Sequence, residues 1–179
     1  MPKSTKPLPT ITYFSLFFKV FLLFVTILSQ IFSSRNHYFV ILLNFFLYIV
    51  NTLPTAEGAI EIAISETPIT LHGSKTLVLG YGKIGKILAK DLCGMGACTY
   101  VEARKYADLA MIEGHGYEPL SLGELKDNIH KFDIIFNTVP SLILDSEALE
   151  RVKKDAIIID LASKPGGAEL NLNCIFIIR

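Results

Sequence analysis

The sequence predicts an α/β fold in which a doubly wound, mostly parallel sheet is preceded by an apolar helical N-terminal segment. Three observations carry this. From Asn51 onward, short apolar runs alternate with amphipathic stretches. A glycine-rich turn, Gly80 to Gly85, separates the first apolar run from the stretch that follows it. The first fifty residues contain no glycine and no acid.

The 179-residue chain carries 17 basic and 17 acidic residues, so its net charge is zero, but the charges are unevenly placed. Every acid lies at Glu57 or later, and before it the only charges are Lys3, Lys6, Lys19 and Arg35. The later part has the mixed charge, glycine punctuation and aliphatic content of a globular domain. It has no basic stripe that would point to nucleic acid. Cys93, Cys98 and Cys174 lack CxxC spacing, and His37, His72, His115 and His130 are scattered. No metal site is therefore expected, and the thiols fit a reducing compartment.

Residues 11–32 are apolar apart from Lys19 and a few hydroxyl and amide side chains. Their number matches the ~20 residues of a bilayer-spanning helix. A second run at 38–50 is shorter and broken by Asn44. Two readings stand side by side: a membrane anchor, or translation of AT-rich DNA in the wrong frame. The bias toward Phe, Leu, Ile, Tyr, Asn and Ser suits the second, and it returns in the tail LNLNCIFIIR. Hydropathy does not separate them.

The elements follow in order. Residues 55–66 are expected to form a helix capped by Thr55, with Pro54 just before it and Ile60, Ala63 and Ile64 on one face. Pro68 ends it, and His72-Gly73-Ser74 turns the chain. Residues 76–79 form a short apolar strand, as a parallel strand covered on both faces requires. A helix at 83–92 turns Ile84, Ile87 and Leu88 inward and stops at Gly94 and Gly96. A strand at 99–102, a helix at 106–112 and a brief strand at 117–119 come next. Ser121 and Glu124 have capping-box spacing for the following helix. Strands at 133–137 and 156–161 flank a helix at 146–152 capped by Asp145. Strands alternating with helices require crossovers, and hence a mostly parallel sheet. The division is 1–50 apolar segment, 51–73 linking helix and turn, 74–167 nucleotide-binding domain, and 168–179 irregular tail.

Gly80-Tyr81-Gly82-Lys83-Ile84-Gly85 is a G-x-G-x-x-G turn leaving a strand and opening a helix, the setting of a Rossmann-type NAD(P) site. Gly80 permits the turn, Gly82 lets the backbone approach a pyrophosphate, and Gly85 lets the helix pack on the strand. The helix start supplies amides and a partial positive charge. No Gly-Lys-Ser/Thr follows, which excludes a P-loop. At the end of the second strand, Glu102 is followed by Ala103, Arg104 and Lys105. An NAD site places an acid there and an NADP site a cation. The acid position falls nearer Ala103, so Arg104 and Lys105 favour NADP, with NAD as the alternative. The loops Thr138-Val139-Pro140 and 162–167 leave the carboxyl edge, where either can line the nicotinamide end.

Together, NTLPTAEGAI at 51–60, the Gly80 turn, ARKYADLA at 103–110, DIIFNTVP at 133–140 and IDLASKPGG at 159–167 resemble the dipicolinate synthase A-subunit family. The PTAEGAI and DLASKPGG stretches are more specific than the glycine turn. The resemblance implies an NADP-linked oxidoreductase working with a flavoprotein-like B subunit. That pair oxidises dihydrodipicolinate to dipicolinate during sporulation, in the cytoplasm of the mother cell. Removing two hydrogens aromatises the ring, which suits hydride transfer to a nicotinamide. The resemblance also implies that Asn51, Thr55 and Glu57 lie where substrate and cofactor domains meet. It sets Ser163 and Lys164 near the hydride face, with Lys164 toward a substrate carboxylate. It names no catalytic base.

Two departures shape the expectation. The family has a substrate domain before the 51–60 segment, where this chain is apolar. The family also continues past Gly167 with a sixth strand and a helix, whereas here a dozen residues remain. A cofactor-binding fragment with negligible turnover is expected. A membrane-tethered nucleotide sensor is the alternative class, disfavoured because a TVGYG-type filter needs glycines and none precedes Gly58. A dehydrogenase of shikimate or 2-hydroxyacid type is the other.

Overall fold

The computed structural model describes the backbone of residues 37–162 and 175–177, with side chains over 51–162. The chain divides into two compact units, Met1–Val50 and Asn51–Arg179. The 11–32 stretch lies outside the described residues. Among those residues, no helix is long and apolar enough to cross a membrane.

Helix α1 spans His37–Glu66 and carries Pro54 inside it. The expected start at Thr55 is therefore corrected. Pro54 has no N–H for the carbonyl four residues back. Thr55 does not cap; its hydroxyl donates to the Asn51 carbonyl at 2.7 Å. Ala56, Ala59, Ile60 and Ala63 make a buried stripe at helical spacing, while Ile64 faces out.

Strand β1 (Lys75–Leu79), helix α2 (Lys83–Gly94) and strand β2 (Cys98–Ala103) form the first β–α–β unit. Helix α3 (Tyr106–Gly114) leads to β3 (Glu118–Ser121). A 3-10 turn, the four-residue α4 (Leu125–Asn128) and a second 3-10 turn then cross to β4 (Ile134–Asn137). Helix α5 (Ser146–Glu150) and β5 (Ile157–Asp160) follow. The other two expected caps are present. The Asp145 carboxylate accepts the Ala148 N–H at 2.8 Å. Glu124 accepts the Ser121 backbone N–H at 3.1 Å and its hydroxyl at 2.6 Å.

The tail contains a strand, β6 (Ile175–Ile177), where sequence suggested irregular chain. Ile175 pairs with Ile158 and Ile177 with Asp160. β-branched and aromatic residues fit a pleated ladder whatever their compositional bias, so the sixth strand expected to be missing is supplied within residues 168–179.

Among the described residues the sheet has six strands in the order β3-β2-β1-β4-β5-β6, each pair parallel. This is the doubly wound order, and it reverses between β1 and β4. Both faces are covered. Val78, Val101, Phe136 and Ile159 pack against Leu88 and Leu92 of α2, Ile112 of α3 and the alanine stripe of α1. On the other face Leu77, Leu79, Ile135 and Ile158 meet Leu125, Ile129, Phe132 and Leu149. Strands buried on both sides read as unbroken apolar runs, and these do.

Candidate functional site

The glycine turn sits at the carboxyl end of β1, beside the point where the strand order reverses. Gly80 has φ +93°, the left-handed region open to glycine. Its N–H donates to the Glu102 carbonyl at 3.1 Å. A Cβ there would lie 2.7 Å from Val139 Cγ2 and 2.9 Å from Thr138 Oγ1. A Cβ on Gly85 would overlap the Gly80 carbonyl oxygen. Gly82 differs: it is exposed, and a Cβ on it would meet nothing within 4 Å. As N-cap of α2 it offers no side-chain acceptor to the first-turn amides. Two glycines thus pack the turn and the third leaves its mouth open, which fits a diphosphate.

Between them, Lys83 is exposed and Ile84 packs against the core. Tyr81 is half-buried, and its hydroxyl is 2.7 Å from His115 Nδ1 beyond α3. Lys86 Nζ lies 5.0 Å from the centre of its ring. Burial, then the neighbouring Tyr117 and Asp108, push the Tyr81 pKa up.

At the end of β2, Ala103 is buried as the last strand residue, and Arg104 and Lys105 are exposed. Lys105 is the N-cap of α3. The Arg104 guanidinium donates to Ser141 Oγ at 2.9 Å, joining the loop after β4 to the end of β2. Glu102 is only 1% exposed, and its Oε1 has no hydrogen-bond partner among the described residues. Burial pushes its pKa up, opposed by the charge of Arg104 and by the Gly80 N–H.

The loops after β4 and β5 complete the edge. Thr138 donates its N–H to the Leu79 carbonyl at 3.0 Å and its hydroxyl to the same atom at 2.8 Å. Val139 therefore lies against Gly80, and Pro140 is exposed. Beneath this loop Asn137 Nδ2 donates to Asp160 Oδ1 at 2.9 Å, both side chains buried.

The turn of Gly80, Tyr81, Gly82, Lys83, Ile84 and Gly85, Arg104 and the Thr138-Val139-Pro140 loop are thus brought to one edge. Glu57 is not. The alanine stripe of α1 turns it outward, where it lines a groove with Lys90, Asp91 and Met95 toward the far end of α2. Asn51 and Thr55 are half-buried and are bonded to each other through the Thr55 hydroxyl. Ser163 and Lys164 lie outside the described residues. No group of three or more metal-ligating side chains occurs among the described residues.

Sequence reasoning missed three features: the Ser141 partner of Arg104, the burial of Glu102 and the Asn137–Asp160 pair. The pair had a signal, since each residue ends an apolar run with a polar side chain. Ser141 had none, because its contact is made 37 residues away.

A parallel sheet with this order and this glycine turn defines an NAD(P)-binding, dehydrogenase-like domain of the Rossmann type. The shikimate/quinate 5-dehydrogenase family model matches residues 61–166, and the chain belongs to that family. It is 42% identical over 121 residues to the dipicolinate synthase A subunit of Bacillus subtilis, covering 68% of this chain and 41% of that protein. The crystal structure of that Bacillus subtilis protein superposes with a TM-score of 0.66. That of the Bacillus halodurans counterpart gives 0.66 at 38% identity, covering 68% of this chain and 42% of that one. Glutamyl-tRNA reductase from Methanopyrus kandleri gives 0.56 at 26% identity, covering 69% of this chain and 34% of that one. The chain thus spans about two fifths of the length of its dipicolinate synthase relatives. These relatives make the domain oxidoreductase-like in kind.

Proposed function

We propose that this chain is the NADP-binding part of an oxidoreductase acting as the dipicolinate synthase A subunit does, oxidising dihydrodipicolinate to dipicolinate. The observation that carries the cofactor reading is the open mouth at Gly82, flanked by Arg104 beyond the buried Ala103. The amides of the Tyr81–Ile84 turn receive the diphosphate. Arg104 and Lys105 receive the 2′-phosphate, Arg104 through the planar fork that suits phosphate oxygens. Counted from Gly85, the position an NAD site fills with an acid falls nearer Ala103 than Glu102, which supports NADP over NAD. When bound, the nicotinamide supplies a hydride acceptor at the β4–β5 side of the edge.

The identity to the Bacillus subtilis protein supports the substrate and the setting. In that setting Thr138, Val139 and Pro140 line the nicotinamide, and Ser163 and Lys164 face substrate, with Lys164 holding a carboxylate. Asn51 and Thr55 belong to the junction with a substrate-binding region. Glu57, on the outer side of α1, is the least suited of the three to reach substrate. A flavoprotein-like B subunit is the partner, and the work is done in the cytoplasm of a sporulating mother cell.

The test is a fluorescence titration of the purified chain with NADPH and NADH. Tighter binding of NADPH is expected. No response to either at millimolar concentration removes the cofactor reading, and tighter NADH binding removes the NADP assignment.

A further inference from the structure

Resting on the cofactor reading above, we propose that the buried Asn137–Asp160 pair is a positioning device for the nicotinamide half of the dinucleotide. The two residues are register partners at the last positions of β4 and β5, 0% and 2% exposed. Asn137 Nδ2 donates to Asp160 Oδ1 at 2.9 Å. Each side chain also holds the backbone two residues ahead of it. Asn137 Oδ1 accepts the Val139 N–H at 3.1 Å, and Asp160 Oδ1 accepts the Ala162 N–H at 3.0 Å. One side-chain bond thus joins two loops that leave the sheet on neighbouring strands.

A third loop is tied to the same unit. The Leu161 N–H donates to the Asn137 carbonyl at 2.8 Å, and both donors of Thr138 reach the Leu79 carbonyl just before Gly80. Val139, gripped by Asn137, is the residue that a Cβ on Gly80 would strike. In a doubly wound sheet the dinucleotide lies across the reversal point, one mononucleotide on each half. The β1–β2–β3 half carries the glycine turn and Arg104, leaving the nicotinamide for the β4–β5 half.

Burying two polar side chains is costly unless they are bonded. Two apolar residues here would extend the Ile-Ile-Phe and Ile-Ile-Ile runs and pack as well. They would leave the Val139 and Ala162 amides without their side-chain acceptors. The pair therefore acts on loop geometry.

Three variants test this: N137D, D160N and the apolar double N137L/D160L. Each is titrated with NADPH and with 2′,5′-ADP, which probes only the adenosine half. N137D sets two carboxylates face to face, whereas D160N keeps an amide oxygen at the Oδ1 position, which still accepts from both Asn137 Nδ2 and the Ala162 N–H. N137D and the apolar double are expected to bind NADPH at least about tenfold more weakly while keeping 2′,5′-ADP within about twofold. D160N is expected to keep NADPH affinity within about threefold of the parent. The apolar double carries the test if N137D does not fold. Equal loss of both ligands, loss of neither in N137D and the apolar double, or a loss in D160N as large as in N137D overturns the proposal. If the parent chain binds neither ligand, the cofactor reading falls and takes this inference with it.

Discussion

Gly85, one turn into α2, lies directly against the carbonyl oxygen of Gly80, so that the start of the helix and the end of β1 touch backbone to backbone. A Cβ added at Gly82, between them, would meet nothing within 4 Å. The two positions therefore answer an added methyl group in opposite ways. Gly85→Ala must push helix from strand, and is expected to cost about 1–3 kcal/mol of stability in urea unfolding, and cofactor binding with it. Gly82→Ala is expected to change stability by less than about 0.5 kcal/mol while NADPH affinity falls at least about tenfold. Unchanged binding in Gly82→Ala would put the diphosphate elsewhere.

Arg104 tests cofactor choice. Its guanidinium is exposed and is held over the β4 side by Ser141. Arg104→Ala is expected to weaken NADPH by roughly 10- to 100-fold, the value of a charge-assisted contact, and to leave NADH unchanged. Calorimetric titration of both cofactors reads the ratio, and parallel losses would count against a 2′-phosphate contact.

Glu102 makes stability fall as pH rises. Its folded pKa is raised above the ordinary 4.5, first by burial. The protonated form is therefore favoured in the folded state. Its contribution is fully present below pH 4.5 and is lost as pH climbs through the higher folded value. Glu102→Gln should melt at a higher temperature than the parent at pH 8 and near the parent at pH 4. An unchanged melting temperature at pH 8 would show that the carboxylate is solvated.

Asp133 works in the other direction. Burial raises its pKa, but the Lys153 ammonium at 2.6 Å and the Lys75 N–H at 2.8 Å outweigh burial and hold it below the ordinary 3.8. The stability it confers is present above pH 3.8 and is lost as pH falls through the folded value. Asp133→Asn is expected to flatten the acid limb of the melting-temperature profile below about pH 4. An acid limb identical to the parent's would assign that loss to other carboxylates.

The strands were legible because a parallel sheet covered on both faces leaves runs such as Thr76–Leu79 and Ile157–Ile159 with almost nothing polar in them. The glycine turn was legible because each glycine answers a local steric demand. Pro54 misled, since a proline beside a threonine marks a helix start only where the residues before it are not already helical, and here the helix runs from His37. The strand at Ile175–Ile177 was hidden because composition said nothing of the open edge of β5 that it joins. The Arg104–Ser141 contact and the burial of Glu102 depend on segments far along the chain folding back, which local spacing does not encode.

The strand order also governs how the sheet assembles as the polypeptide leaves the ribosome. Lys75 and Asp133 are 58 residues apart, yet they meet at the β1–β4 junction. The nascent β1, β2 and β3 can pair in sequence, but one side of β1 stays bare until β4 emerges. Its second neighbour must come from far along the chain, and such distant pairings form slowly. The glycine turn therefore takes its final shape only after Thr138 has arrived to close it, and a pause in synthesis before that residue would leave the central strand open to wrong partners.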